Sequence, residues 1–380
     1  MRFISKLETG YKSRDDVPFH NRSHAADVVQ GTAYFLNQAA HQIGELQPLD
    51  VFSLILSAAM HDHNHPGVTN AFMVNSKDEL AILYNDASVL EMHHLASSWR
   101  LLLDNAANPF EGFSPEQYNE ARQTIIHVIL GTDMKYHFDH LTKFKTRIGS
   151  DCEWSDRKDV RLILAMCLHS ADVGNPAKPW KLSCEWSARV MDEFFRQGDT
   201  EASRGMAVSP FMDREKTDIA KCQVGFIKCV PRHPPHSPRP RTSHQWPHSL
   251  SRARPPSHSH PRFRARRSRS ILIKPFFEEW GTFLKDAGTQ LTDNITLNIG
   301  KWTTEGENAL GEERAALLKA KPVVAEVSEI PLAVAAAAAL PGSTPSSPVG
   351  KRAALGLAAA SAPGASPGAS PSKTRNSARS

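Results

Sequence analysis

"LDVFSLILSAAMHDHNHPG", residues 49–67, runs an apolar segment of helical length straight into three histidines and an aspartate within five positions. From Leu49 to Met60 the apolar residues fall nearly all round a helix, which is the pattern of a helix buried inside a bundle. The helix delivers His61 and Asp62 at its far end, so the polar cluster stands next to the core. A lone histidine on an apolar face is usually a satisfied core residue, but a set of them beside an aspartate calls for a different explanation.

Other segments repeat the helical pattern. In "SPEQYNEARQTIIHVIL", Ser114 can cap, Pro115 suits the first helical position, and Gln117 completes a capping box. In "SDRKDVRLILAMCLHSAD", Val160, Ile163, Leu164 and Cys167 fall on one face of a helix that ends at Asp172. "RVMDEFFRQGD" reads the same way. No alternating strand pattern and no internal repeat is found, so the expected fold is all-α, a compact multi-helix bundle.

Composition bounds the rest. The 380 residues, 40% of them apolar, are enough for a large core. The start lacks a secretory signal, "PLAVAAAAALP" is too short to cross a bilayer, and a cytoplasmic location is expected. Cys152, Cys167, Cys184, Cys222 and Cys229 are odd in number and form no C-x-x-C pair, against a disulfide framework.

The net charge of +5 belongs to one segment. Residues 229–270 hold ten arginines, nine prolines and six histidines, with no lysine, aspartate or glutamate, so the rest carries 35 basic against 40 acidic residues. Such a composition cannot bury a core and reads as disordered. The segment interrupts two helix-like stretches, "KTDIAKCQVGFIK" and "ILIKPFFEEWGTFL", that would join into a nearly continuous amphipathic pattern. A retained intron or gene-model error would produce it, and a regulatory loop or a tether for an anionic partner or nucleic acid would also fit. From residue 319 an Ala/Pro/Ser/Gly-rich tail is expected to be disordered.

His20 and His24 in "PFHNRSHAAD" are four apart, so a helix beginning at Asn21 would bring both rings to one face, and His61 and His65 repeat the spacing. Imidazole with carboxylate suits zinc, and carboxylate with water suits magnesium or manganese. Without a metal, the carboxylates in a dry pocket would cost several kcal/mol.

"HNRSHAAD", "HDHNHPGVTN", "YNDASVLEMHH", "GTDM", "LHSADVGNPAK", "DEFFRQGD" and "CQVGF" stand in the order and approximate spacing of the catalytic domain of class I 3′,5′-cyclic nucleotide phosphodiesterases. The chain resembles that family, an all-helical fold of the HD-hydrolase type, over about residues 3–227 and from 271 to near 285. The resemblance implies a domain formed by 1–228 and 271–318, truncated before its usual first helices, with 229–270 as an insert and 319–380 as a tail.

It also implies roles. His24, His61, Asp62 and Asp172 match the ligands of the tighter metal, usually zinc, and Asp62 bridges to a second ion, magnesium or manganese. A hydroxide shared by two such ions would attack the phosphodiester of cAMP or cGMP. His20 matches the proton donor, and Glu91 or Asp86 of "YNDASVLEMHH" is expected to be the carboxylate that orients it. His65 is expected to orient ligands or water. Gln223 and Phe226 match the residues that hydrogen-bond and stack on the purine, with Asn175 and Met134 in the same pocket beside His20, Asp62 and Asp172. Asn175 leans the choice towards cAMP. A metal-free pseudoenzyme that binds nucleotide, and an anionic-partner binder acting through the insert, are alternatives of other classes.

Because residues 229–270 begin three residues after Phe226, a chain lacking them is expected to melt at higher temperature and to hydrolyse cyclic nucleotide faster. Thermal melts and rates of the two proteins, measured side by side, check this.

Overall fold

The computed structural model describes residues 2–43, 46–102, 108–150, 154, 156–228 and 273–320. The chain divides into two units, Met1–Pro322 and Val323–Ser380, and the second lies outside the described residues. So do the basic insert and all of the proposed tail except Lys319 and Ala320. Lys319, assigned to the tail from composition, is instead the last residue of a helix and pairs with Glu307 at 3.4 Å.

Among the described residues every regular element is helical and there is no strand. In chain order the helices are α1 (Arg2–Gly10), α2 (Arg22–Ala39), α3 (Pro48–Met60), α4 (Asn70–Ser76), α5 (Glu79–Leu83), α6 (Val89–Leu101) and α7 (Pro115–Leu130). They continue with α8 (His137–Ile148), α9 (Arg157–Asp172), α10 (Trp180–Ser203), α11 (Ile219–Lys228), α12 (Ile273–Leu284), α13 (Asp286–Glu305) and α14 (Glu312–Lys319). No helix among the described residues is long and apolar enough to cross a membrane.

The expected local signals appear. Ser114 accepts from the Gln117 amide, and the Gln117 side chain accepts from the Ser114 amide, closing both sides of the capping box. Val160, Ile163, Leu164 and Cys167 all face the core. Helix α3 is buried on one side, with Leu54 and Ala58 fully enclosed, but not all round as its apolar pattern predicts: Pro48 and Val51 are exposed and Leu49, Phe52, Ile55 and Ala59 half-buried.

Two features aim the elements that matter. Helices α2 and α9 lie against each other where Gly31 faces Ala171; a side chain on Gly31 would come 3.1 Å from the Ala171 Cβ. That close approach brings the start of α2 to the end of α9. Arg157, in the first turn of α9, then forks onto Asp50 of α3 at 2.9 and 2.7 Å and reaches Glu120 of α7 at 2.7 Å. Asp50 is almost fully enclosed, so this charge-assisted fork locks α3, α7 and α9 in register.

Helix α10 is the long brace of the molecule. At Gly198 it passes so near the Met212 carbonyl that an added Cβ would sit 1.9 Å from that oxygen. Gly198→Ala must therefore displace the 212 backbone, and a loss of about 1–3 kcal/mol is expected. Denaturant unfolding of the variant beside Gly225→Ala, whose Cβ would meet nothing within 4 Å, measures it.

Candidate active site

Four side chains from three elements meet at the buried end of α3. Asn21 caps α2: its Oδ1 accepts from the Ser23 amide at 2.9 Å, and its Nδ2 donates to the carbonyls of Val17 and Pro18 at 2.8 and 3.0 Å. The cap fixes His24 in the first turn and leaves His20 just outside the helix. His20 and His24 therefore do not share a helical face, yet their rings still meet edge to face at 5.7 Å. His61 ends α3, and His65 lies beyond it in a loop that turns with Asn64 and Gly67 at φ of 60° and 82°. Asp172 ends α9, where a negative charge is disfavoured by the helix dipole and is not there for the helix's benefit.

His24 Nε2 lies 3.1 Å from Asp172 Oδ1 and 3.4 Å from Asp62 Oδ2. His61 Nε2 lies 3.1 Å from Asp62 Oδ2 and 3.5 Å from Asp172 Oδ1. His61 Nδ1 donates to the Ala58 carbonyl at 2.9 Å, so in the neutral ring Nε2 is a bare lone pair facing carboxylate oxygens. Neither His61 Nε2 nor Asp62 Oδ2 finds a hydrogen bond, although both are shut off from water. Acceptors facing acceptors in a dry space need a cation between them. Burial opposes charge on His61, but Asp62 and Asp172 outweigh it and raise its pKa well above the ordinary value. The same imidazoles depress both acids despite their burial. The donor set, two imidazoles and two carboxylates within mutual reach, fits a divalent ion.

His94 repeats the arrangement on the other side of Asp62. Its Nδ1 donates to the His63 carbonyl at 2.9 Å, and its Nε2 faces Asp62 Oδ1 at 3.6 Å. Burial lowers its pKa to about 4, so this ring, unlike His61, is neutral and offers a lone pair.

His20 is held differently. Its Nδ1 bonds a carboxylate oxygen of Glu193, and the other oxygen accepts from the backbone amides of Phe19 and His20 at 2.9 and 3.1 Å. Burial works against its charge, but Glu193, with Asp62, raises its pKa to about 9. His65 stacks on His20 with centroids 4.0 Å apart, and burial and the neighbouring His20 hold its pKa well below the usual value.

A family model of 3′,5′-cyclic nucleotide phosphodiesterases matches residues 19–233, more than half of the chain. The chain belongs to the 3′,5′-cyclic nucleotide phosphodiesterase family. It is 40% identical over 230 residues to the Bos taurus dual specificity calcium/calmodulin-dependent 3′,5′-cyclic nucleotide phosphodiesterase 1B, covering 60% of this chain and 42% of that protein. It is 41% identical over 229 residues to the Mus musculus phosphodiesterase 1C of the same description, covering 60% and 32%. The chain thus spans less than half the length of these relatives. Among solved structures, the phosphodiesterase domain of the Salpingoeca rosetta rhodopsin phosphodiesterase superimposes with a TM-score of 0.63 at 30% identity, over 81% of this chain and 80% of that one.

Within this phosphodiesterase fold, the carboxylate on His20 is not the one expected. Glu91 points elsewhere: Asn70 Nδ2 donates to both its oxygens at 3.2 and 3.0 Å, and burial with the nearby Asp133 raises its pKa to about 7. Asp86 sits in the turn before α6 with φ of 60°. Glu193 takes the role because α10 crosses the 17–20 loop, a contact no local pattern reveals. Its signal in the sequence was an acid inside the apolar run "RVMDEFF"; His94, next to His93, gave none.

Gln223 accepts from the Ser187 hydroxyl at 3.0 Å, which ties α11 to α10. Phe226 is half-buried against the main core. Asn175 begins the short helical turn Asn175–Ala177 with its Oδ1 buried and unpartnered, and Met134 is 40% exposed. No hydrogen bond, ion pair or ring contact joins these four to the His24/His61/Asp62/Asp172 group among the described residues.

The His20–Glu193 pair stabilises the fold within a defined pH window. His20 rises from 6.5 to about 9 on folding, so its share is full below about 6.5 and is lost as pH climbs through about 9. Glu193 falls below its usual 4.5, so its share is present above about 4.5 and is lost on acidification. In chelated protein, the melting-temperature gap between wild type and Glu193→Gln should be widest near pH 5–6 and close above about 9.

Proposed function

We propose that the protein hydrolyses 3′,5′-cyclic nucleotides to 5′-nucleoside monophosphates, with His24, His61, Asp62 and Asp172 holding one divalent ion, zinc by preference. Asp62 reaches towards a second, magnesium or manganese, near His94. The observation that carries the reading is the set of buried acceptors around Asp62 standing beside an imidazole that Glu193 keeps charged. When bound, the ions would supply Lewis acidity and lower the pKa of an attacking water.

The remaining work falls to side chains. Because Nδ1 of His20 is engaged by Glu193, its other nitrogen, Nε2, carries the proton that can be given to the departing 3′ oxygen. Glu193 keeps that proton in place and fixes the ring plane. His65, neutral and stacked on His20, lends a flat uncharged face and restricts the ring's swing. Gln223 and Phe226 are proposed to read and stack on the purine, with Asn175 and Met134 lining the same pocket. Asn175 leans the choice towards cAMP, while the relatives named dual specificity make cGMP a substrate to be measured alongside it.

The test is hydrolysis of both nucleotides by purified protein with zinc and magnesium. Asp62→Ala is expected to lose metal and activity together. His20→Gln should keep its metal and lose roughly 10²–10⁴ in rate. Glu193→Gln should move the alkaline fall of kcat/KM to lower pH, because His20 then loses the partner that raises it. Full metal content with no hydrolysis of either nucleotide by the wild type sinks the reading.

A further inference from the structure

Helix α10 has two working faces. Trp186, Glu193 and Gln197 are buried on the side of His20. Glu185, Arg189, Asp192 and Arg196, spaced by four, three and four, form a stripe on the other. Arg189, Asp192 and Arg196 of this stripe line a cleft of about 460 Å³, bounded by Arg14, Asp15 and Pro18 and by the end of α14. Arg14, Arg189, Arg196, Arg214 and Arg314 line it together with Asp15 and Asp192.

Two of these arginines are fully engaged. Arg196 forks onto Asp192 at 3.2 and 2.9 Å and also bonds the Asp15 carbonyl. Arg214 forks onto Asp199 and donates to the carbonyls of Leu318 and Ala320 at 2.7 and 2.9 Å. The other three are not matched one to one. Arg14, Arg189 and Arg314 each bring Nη2 to the same oxygen, Oε1 of Glu185, at 3.8, 3.0 and 3.4 Å.

One negative charge therefore serves three guanidiniums, and Glu185 is the only acid paired with any of them among the described residues. Hydrogen bonds from Arg314 and Arg189 hold its pKa below the usual carboxylate range. Arg189 lies over the Trp186 ring at 4.8 Å, and its Nε is shut off from water with no acceptor.

We propose that this cleft binds a phosphate group, as inorganic phosphate or on a small phosphomonoester, seated among Arg14, Arg189 and Arg314. Planar guanidinium forks match the oxygens of a phosphate, whose charge offsets the positive charge that Glu185 leaves over. The volume falls in the range of small-ligand sites, with room for a modest organic remainder. No lining residue belongs to the proposed metal group, so the site stands whether or not the hydrolytic reading does. The bound anion would tie together the loop leading to His20, the helix bearing Glu193 and the first turn of α14.

The test uses the full chain after chelation, so that phosphate finds no metal. Melting temperature is followed against inorganic phosphate or glycerol 2-phosphate at ionic strength held constant with chloride, with calorimetric titration in parallel. A saturable rise in melting temperature with either anion is expected. It should vanish when Arg189→Gln and Arg314→Gln are combined. Glu185→Gln removes the competing anion and should tighten phosphate binding by about tenfold, the reverse of what a merely structural ion pair would do. The proposal is overturned by no saturable rise in wild type, an equal rise in the double variant, or unchanged or weaker binding in Glu185→Gln.

Discussion

Two carboxylates and two imidazoles crowd into one buried space, with lone pairs aimed at lone pairs. His61 is the decisive member: its Nδ1 is spent on the Ala58 carbonyl, which turns Nε2 towards Asp62 and Asp172 as a bare acceptor. A surface cluster would relax such opposition by rotating into water. Here the imidazoles are fully enclosed and the carboxylates largely so, and the relief is positive charge, either a proton shared among them or a divalent cation. The rest of the structure serves to keep these four groups in place against their mutual repulsion.

That service is distributed. The Asn21 cap sets the first turn of α2, and the closeness of Gly31 to Ala171 lets α2 lie on α9, so His24 and Asp172 meet although 148 positions separate them. Arg157 fastens α9 to α3 and α7 through Asp50 and Glu120. Asp172 stands at a helix C-terminus, against the local dipole. Removing the reason for its presence would leave a residue that costs stability and returns nothing.

Histidines a few ångströms apart are driven in opposite directions by what faces them. Glu193 carries His20 up to about 9, while burial takes His94 down to about 4 and holds His65 low beside His20. Rings driven towards charge beside rings driven towards neutrality would let the proposed proton donation and ligation be divided without any change of residue type. Helix α10 carries the carboxylate responsible and, on its outer face, the arginine stripe that shares Glu185, so the His20–Glu193 pair and the surface charge network are supported by a single rigid element.

The helical class, the start of α7 at its capping box and the buried face of α9 were legible because they depend on neighbours three and four residues away. His24, His61, Asp62 and Asp172 were legible as residue types at helix ends with ligand chemistry, together with the order of motifs that the family shares. Which acid orients His20 was not: Glu91, nearer in sequence, turned to Asn70, and Glu193, 173 positions away, took its place because α10 crosses the loop before α2. The convergence of Arg14, Arg189 and Arg314 on one carboxylate was equally hidden. Local periodicity determines which side of a helix is buried; which distant side chain it meets is decided by how helices cross, and that is set only when the whole core packs.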